Sequence, residues 1–179
     1  MIIFMGVAGS GKSVQGKLLA DQVGLPWVST GEFLRMLISG QQRKDMLDGK
    51  LLDDKQIISL VQKIFSIVDT HHEFILDGFP RTVAQADWLI NQSKHGQLHI
   101  SAVINLQASE VVVHKRLLAR GRQDDTDEAI KERFREYQET ILPVMEEFKA
   151  AGIPVHEING EQPSEKVHTA IIASLKGII

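Results

Sequence analysis

Eight residues near the start, Gly6-Val7-Ala8-Gly9-Ser10-Gly11-Lys12-Ser13, combine types and spacing suited to holding phosphate. They fit the pattern G-x-x-x-x-G-K-[ST]. Glycines let the chain turn tightly and bring bare amides against phosphate oxygens. Lys12 adds a mobile cation for the outer phosphates, and Ser13 a hydroxyl suited to a Mg2+ shell. A second set of residues speaks to the same chemistry: Arg35, Arg81, Arg116, Arg120, Arg122 and Arg133 fall at the ends of expected elements. Planar guanidinium forks grip phosphate in two places and keep their proton. A set of this kind can hold phosphate groups and offset their clustered negative charge. The chain has no cysteine, so disulfides, thiolate metal sites and a thiol nucleophile are excluded.

These residues need a scaffold, and the pattern predicts one. Met1 to Met5 is an apolar run expected to form a buried strand ending at the loop. Val14 to Val23 follows as a helix, with Leu18, Leu19 and Val23 on one side and Gly24 as its stop. The helix N-terminus then faces the phosphates with unpaired N–H groups and partial positive charge. Pro26 to Ser29 reads as a second strand. Thr30 to Ile38 reads as a helix capped by Ser29 or Thr30 and stopped by Gly40, and residues 41–48 as one more short helix. Asp53 or Asp54 caps a long amphipathic helix bearing Ile57, Val61, Ile64 and Phe65. Phe74 to Asp77 is a short strand whose terminal acid lies where ligands bind in open α/β sheets.

Beyond it, helices are expected at Val83 to Gln92, Val111 to Ala119, Asp127 to Ala151 and Ser164 to Leu175. Strands are expected at Ala102 to Leu106 and Val155 to Ile158. Alternating strands and helices predict a three-layer α/β/α fold with a five-stranded parallel sheet and right-handed crossovers.

The 179 residues suit a single domain, and 43% hydrophobic content suffices for a core. A net charge of −3 argues against a general nucleic-acid binder. No apolar run approaches the length of a membrane span, and no signal peptide is expected. His71-His72 reads as solvated rather than metal-binding, because neighbours on an extended chain point to opposite faces. A cytoplasmic monomer is the expectation.

Four further stretches carry a resemblance. Ser29-Thr30-Gly31-Glu32-Phe33-Leu34-Arg35 resembles the S-T-G-[DE]-x-L-R stretch of adenylate kinases, and Gly49-Lys50-Leu51-Leu52 their G-K-L-V turn. Leu76-Asp77-Gly78-Phe79-Pro80-Arg81-Thr82, with Gln85 and Ala86, is similar to their most recognisable signature. Arg116-Leu117 with Arg120-Gly121-Arg122-Gln123-Asp124-Asp125, then Arg133 and Tyr137, resembles their C-terminal arginine cluster, followed by Pro143.

The resemblance implies a P-loop kinase domain over residues 1–179, with a small helical acceptor-binding insertion at 30–58 and a vestigial lid loop at 119–126. It implies Mg2+-dependent transfer of the γ-phosphoryl group of ATP to AMP, giving two ADP. Gly9, Ser10, Gly11, Lys12, Ser13 and Val14 would hold the ATP phosphates, with Arg116 and Arg120 beside the nucleotide and the Gln162 backbone near its adenine. Thr30, Arg35, Lys50, Leu51, Leu52, Gly78, Phe79, Pro80, Arg81 and Gln85 would hold AMP, Arg81 gripping its phosphate and Gln85 pairing with its base. Arg122 and Arg133 would clamp the transferring group. Lys12, Arg81, Arg116, Arg122 and Arg133 form the implied catalytic set. Ser13 and Asp77 would serve the metal, the latter through water, while Asp124 and Asp125 position the arginines.

A kinase for UMP, CMP or another monophosphate is the alternative within the class. A nucleotide-binding sensor without turnover is the alternative outside it, though such a protein would be expected to lose arginines, and none is missing.

The chain departs from the family pattern in three places. The loop ends Gly11-Lys12-Ser13-Val14 where the family usually reads G-K-G-T. The insertion between Arg35 and Gly49 is shorter than usual. Only Gly121 separates Arg120 from Arg122, so the lid is nearly gone.

Overall fold

The computed structural model describes residues 1–48, 52–69 and 72–179. Five strands form one wholly parallel sheet: β1 (Ile2–Met5), β2 (Trp27–Ser29), β3 (Ile75–Asp77), β4 (Ala102–Gln107) and β5 (Val155–Asn159), in the order β2-β3-β1-β4-β5. The helices between them are α1 (Lys12–Val23), α2 (Thr30–Leu37), α3 (Gly40–Leu47), α4 (Asp54–Phe65), α5 (Val83–Lys94), α6 (Glu110–Arg120), α7 (Asp127–Glu136), α8 (Leu142–Ala150) and α9 (Ser164–Ser174).

The period of two along each buried strand divides the core into two layers. Ile3, Met5, Leu76 and Val103 face one side, against Ile57, Val61 and Ile64 of α4, Leu89 of α5 and Phe148 of α8. Ile2, Phe4, Ile75, Ile104 and Leu106 face the other, against Leu19 of α1 and Ile171 of α9. A third small cluster, Val7, Val113, Leu117 and Ile130, lies beneath the glycine-rich loop and ties it to α6 and α7. The sheet thus holds the carboxyl ends of β1, β2 and β3 level, since Phe4 pairs with Asp77 and Ser29 with Asp77.

Several expectations need correction. Leu18 was expected on the packed side of α1, but it is exposed while Leu19 is fully buried. Gly40 does not stop the preceding helix. That helix ends at Leu37, and Gly40, at φ +57°, begins α3. Neither proposed cap of α2 is realised as a side-chain cap. Ser29 occupies the capping position without the bond, and the Thr30 hydroxyl instead donates to the Asp77 carbonyl at 3.2 Å.

The long helix expected from Asp127 to Ala151 is interrupted by a π-helical turn at Tyr137–Ile141. Pro143, in the first turn of α8, explains the break. Proline has no N–H and crowds the carbonyl four residues back, so the helix widens by one residue just before it. Asp53 caps α4 as expected, accepting from the Gln56 N–H.

Candidate active site

The carboxyl ends of the strands open into a cavity of about 520 Å³. It is lined on one side by the loop residues Gly9 to Val14 and on the other by Thr30, Arg35, Gly78, Arg81 and Gln85. Arg116, Arg120, Arg122 and Arg133 line it between the two. Leu52, Pro80 and Gln162 also line it, as expected. Phe79 does not. Its side chain is fully buried and packs edge-on to Trp88 at 6.0 Å, so only its backbone is on the site's side of the chain. Lys50 and Leu51 fall outside the described residues.

The loop needs glycine at its first position for two reasons. Gly6 sits at φ +131°, and a Cβ there would fall 2.4 Å from the Leu106 carbonyl. The Lys12 ammonium folds back over the loop and donates to the Gly6 and Val7 carbonyls at 2.7 and 2.9 Å. Burial lowers its pKa to about 8, with Asp77 opposing that shift and Arg81 adding to it. The buried Ser10 hydroxyl has no partner among the described residues, and it stands in the loop where a phosphate oxygen could accept from it. Ser13 donates its hydroxyl to Asp77 Oδ2 at 2.6 Å. This joins the first residues of α1 to the end of β3 through two hard oxygen donors.

The opposite wall is built on the turn between β3 and α5. Gly78, at φ +86°, brings that turn against Thr30. Arg81 is held by its Nε donating to the Gly78 carbonyl at 3.1 Å and by Glu136, 3.8 Å from Nη1. Arg35 donates to the Gly31 carbonyl at 2.7 Å. Burial, and then the nearby charge of Arg122, lower its pKa.

The third wall is the turn joining α6 to α7, and one carboxylate organises it. Asp125 accepts from Arg120 Nε and Nη2 at 2.9 and 2.6 Å, from the Arg122 backbone N–H at 3.1 Å, and from Arg133 Nη1 at 3.2 Å. Burial alone would raise the Asp125 pKa. The bonds from Arg120 and the Arg122 N–H, with the charges of Arg120 and Arg133, outweigh it and hold the pKa below the usual carboxylate value. Arg133 also donates to Asp124. Arg116 donates to the Ser10 carbonyl at 3.3 Å, so it braces the phosphate loop from behind. The turn is short because Gly121, at φ +65°, closes α6 and Thr126 caps α7 at once.

Six arginines and a lysine therefore line one cavity in a chain of net charge −3. Every arginine expected from the sequence is brought to it. Three contributors were missed. Glu136, nearly buried beside Arg81, has its pKa raised by burial against the pull of Arg81, Arg133 and Lys12. Its signal was its position three residues after Arg133, on the same helix face. Gly160 presses on the phosphate loop, where a Cβ would lie 2.8 Å from the Ser10 carbonyl. Asp54, read only as a cap, accepts from the Gln85 amide at 2.7 Å and the Thr82 hydroxyl at 2.9 Å. Of the two histidines singled out earlier, His72 is exposed beside Asp69 and does not line the cavity, and His71 lies outside the described residues. Among the described residues no cluster of three metal-ligating side chains occurs.

Residues 4–153 match the family model described as adenylate kinase. The chain is 35% identical over 180 residues to an adenylate kinase of Corynebacterium urealyticum, covering 97% of this chain and 98% of that one. It is 35% identical over 184 residues to an adenylate kinase of Leptospira biflexa, with the same coverage. It is 37% identical over 174 residues to adenylate kinase 1 of a Synechocystis strain, covering 94% and 92%.

Proposed function

The chain belongs to the adenylate kinase family, and from that premise we infer that it transfers the γ-phosphoryl group of ATP to AMP, giving two ADP reversibly. What supports this reading is that one cavity is lined by the glycine-rich loop with Lys12, by Arg35 and Arg81, and by the further arginines Arg116, Arg120, Arg122 and Arg133. A binding site for a single nucleotide needs only the first wall.

In this reading the loop amides from Gly9 to Val14 and the Lys12 ammonium hold the donor's phosphates. Arg116 keeps the loop in place through Ser10. Arg81 and Arg35 receive the acceptor's phosphate, and Gln85 faces its base. Arg120, Arg122 and Arg133 lie where charge grows on the transferring group, and electrostatic stabilisation of this kind is the chief contribution in phosphoryl transfer. The bonds of the Arg120 and Arg133 side chains to Asp124 and Asp125, and of the Arg122 backbone N–H to Asp125, hold this wall in place before the substrates meet. Ser13 and Asp77 fit a Mg2+ ion. Both offer hard oxygens, they touch each other at 2.6 Å, and they stand beside the phosphate loop. Ser13 would hold the ion and Asp77 would reach it through water, and its charge would offset that of the donor's phosphates. Val14 has no hydroxyl, so in this reading it holds phosphate through its backbone alone.

The same reading has a monomer acting on free nucleotides in the cytoplasm, without nucleic acid or membrane. Supporting it, the chain has no basic excess, and among the described residues no helix is long and apolar enough to cross a membrane. A coupled assay with ATP and AMP, UMP, CMP or GMP in turn tests the acceptor. ADP formation with AMP, and little with the others, is expected. Turnover with a pyrimidine monophosphate in preference to AMP would overturn the reading of the acceptor wall.

A further inference from the structure

Gln85 lines the acceptor side of the cavity, and its side chain is almost wholly buried. Both ends of its carboxamide are already engaged. Oε1 accepts from the Arg81 backbone N–H at 2.8 Å, and Nε2 donates to Asp54 Oδ1 at 2.7 Å. The same Oδ1 accepts from the Thr82 hydroxyl at 2.9 Å, and Thr82 Oγ1 in turn accepts from the Gln85 backbone N–H at 3.3 Å. Asp54 itself does not line the cavity.

The partners fix which end of the amide is which. A carboxylate only accepts, and a backbone N–H only donates. Turning the carboxamide over would set Oε1 against the Asp54 carboxylate and the Nε2 hydrogens against the Arg81 N–H. Both contacts would become repulsive around a side chain that is itself almost wholly buried. One Nε2 hydrogen and one Oε1 lone pair remain for a ligand, in a set order.

We propose that Asp54 is a specificity-determining positioning residue: by locking the polarity of the Gln85 carboxamide it selects a base that presents a donor beside an acceptor, a 6-aminopurine, over a 6-oxopurine. This rests on the reading of the Arg81–Gln85 wall as the acceptor site. A 6-aminopurine offers its amino group beside an unprotonated N1, complementary to the locked amide. A 6-oxopurine offers the reverse order, an oxygen beside N1–H. A free glutamine side chain could flip to meet either; a locked one rejects the second by leaving buried polar groups mispaired.

The test compares AMP with inosine monophosphate, which differs only at the 6 position and N1. Both kcat/KM and calorimetric affinity are measured for the wild type and for Asp54→Ala, Asp54→Asn and Asp53→Ala. Asp54→Ala is expected to lower the AMP-to-IMP preference by about tenfold or more, the scale of one charge-assisted hydrogen bond. The change should lie mainly in KM and include a gain for IMP. Asp54→Asn should fall between, since its amide can either donate or accept. Asp53→Ala loses the α4 cap and is expected to melt earlier with its preference intact.

Equal losses for AMP and IMP in Asp54→Ala, or an unchanged preference, would overturn the proposal by reducing Asp54 to a structural residue. The affinity arm separates it from the kinase reading. A wild type that binds AMP over IMP through Asp54 but forms no ADP would refute turnover and leave this inference standing.

Discussion

Nucleotide binding should pull a proton onto Lys12. Its ammonium donates to the Gly6 and Val7 carbonyls, and burial, against the pull of Asp77, has brought its pKa to about 8. Anionic phosphate oxygens in the loop favour the charged form and should restore a value near or above the ordinary 10.5. Proton uptake on binding is then the fraction of Lys12 that was neutral beforehand: about 0.1 at pH 7, about 0.5 at pH 8 and about 0.9 at pH 9. The terminal phosphate is fully ionised by pH 8, so it contributes little there. Apparent affinity should weaken about fivefold between pH 8 and pH 9 from this linkage alone. Calorimetry in buffers of different ionisation enthalpy reads the proton number directly, and Lys12→Met should abolish it.

The same residue makes a stability statement. Its folded pKa lies below its unfolded value, so the unfolded chain binds more protons between pH 8 and 10.5. Stability of the unliganded protein therefore rises with pH across that window. Below pH 8 the whole penalty is present, and Lys12→Met should melt later at pH 7, by up to ~3 kcal/mol of stability. Absence of proton uptake by the wild type at pH 9, or equal uptake by the methionine variant, would refute the account of Lys12 as a buried cation awaiting phosphate.

Other outcomes are equally open to measurement. Arg133→Ala should lower kcat by ~10²–10³, the usual cost of removing one transition-state donor, with a much smaller change in ATP affinity by titration. Asp125→Ala strands Arg120 and the Arg122 N–H and leaves Arg133 with Asp124 alone, and should destabilise the protein by ~3–5 kcal/mol in denaturant melts. Because the Asp125 pKa is depressed, its contribution is complete above its unfolded value near 3.8 and is lost as pH falls through the folded one. Asp125→Asn should accordingly flatten the acid limb of the stability profile. The turn between Arg120 and Asp127 is too short to exclude water as a lid would. ATP hydrolysis without AMP should therefore be detectable by phosphate release, and a negligible rate would show that the arginine wall alone protects the donor.

Much of this arrangement was legible in the residues. The apolar runs from Met1 to Met5, Phe74 to Asp77 and Ala102 to Leu106 read as strands, and strands form at Ile2–Met5, Ile75–Asp77 and Ala102–Gln107. The phosphate loop and the arginines carry their chemistry in their residue types, so their grouping in space followed from the strand order. What escaped was relational. Asp54 and Asp53 are indistinguishable as helix-start acids; only the fold places Gln85 and Thr82 behind one of them. Glu136 reads as one more charge on a charged helix until Arg81 arrives from another segment. The exposure of Leu18 depends on which layer α1 covers, and Phe79 turns inward because Trp88 and the α4 face leave room for it. The π-helical turn had a local cause in Pro143, which the helical pattern on either side concealed.

ADP alone offers the most direct measurement. If the cavity is one site for two nucleotides, ADP must fill both walls, and phosphoryl transfer between the two molecules gives ATP and AMP in equal amounts. Phosphorus NMR of Mg2+ and ADP with the protein follows all species at once. Equal growth of ATP and AMP to a fixed equilibrium, approached ~10²–10³ times more slowly with Arg133→Ala, is the expected result. ADP that persists unchanged, or decays to AMP and inorganic phosphate without ATP, would contradict the two-nucleotide site.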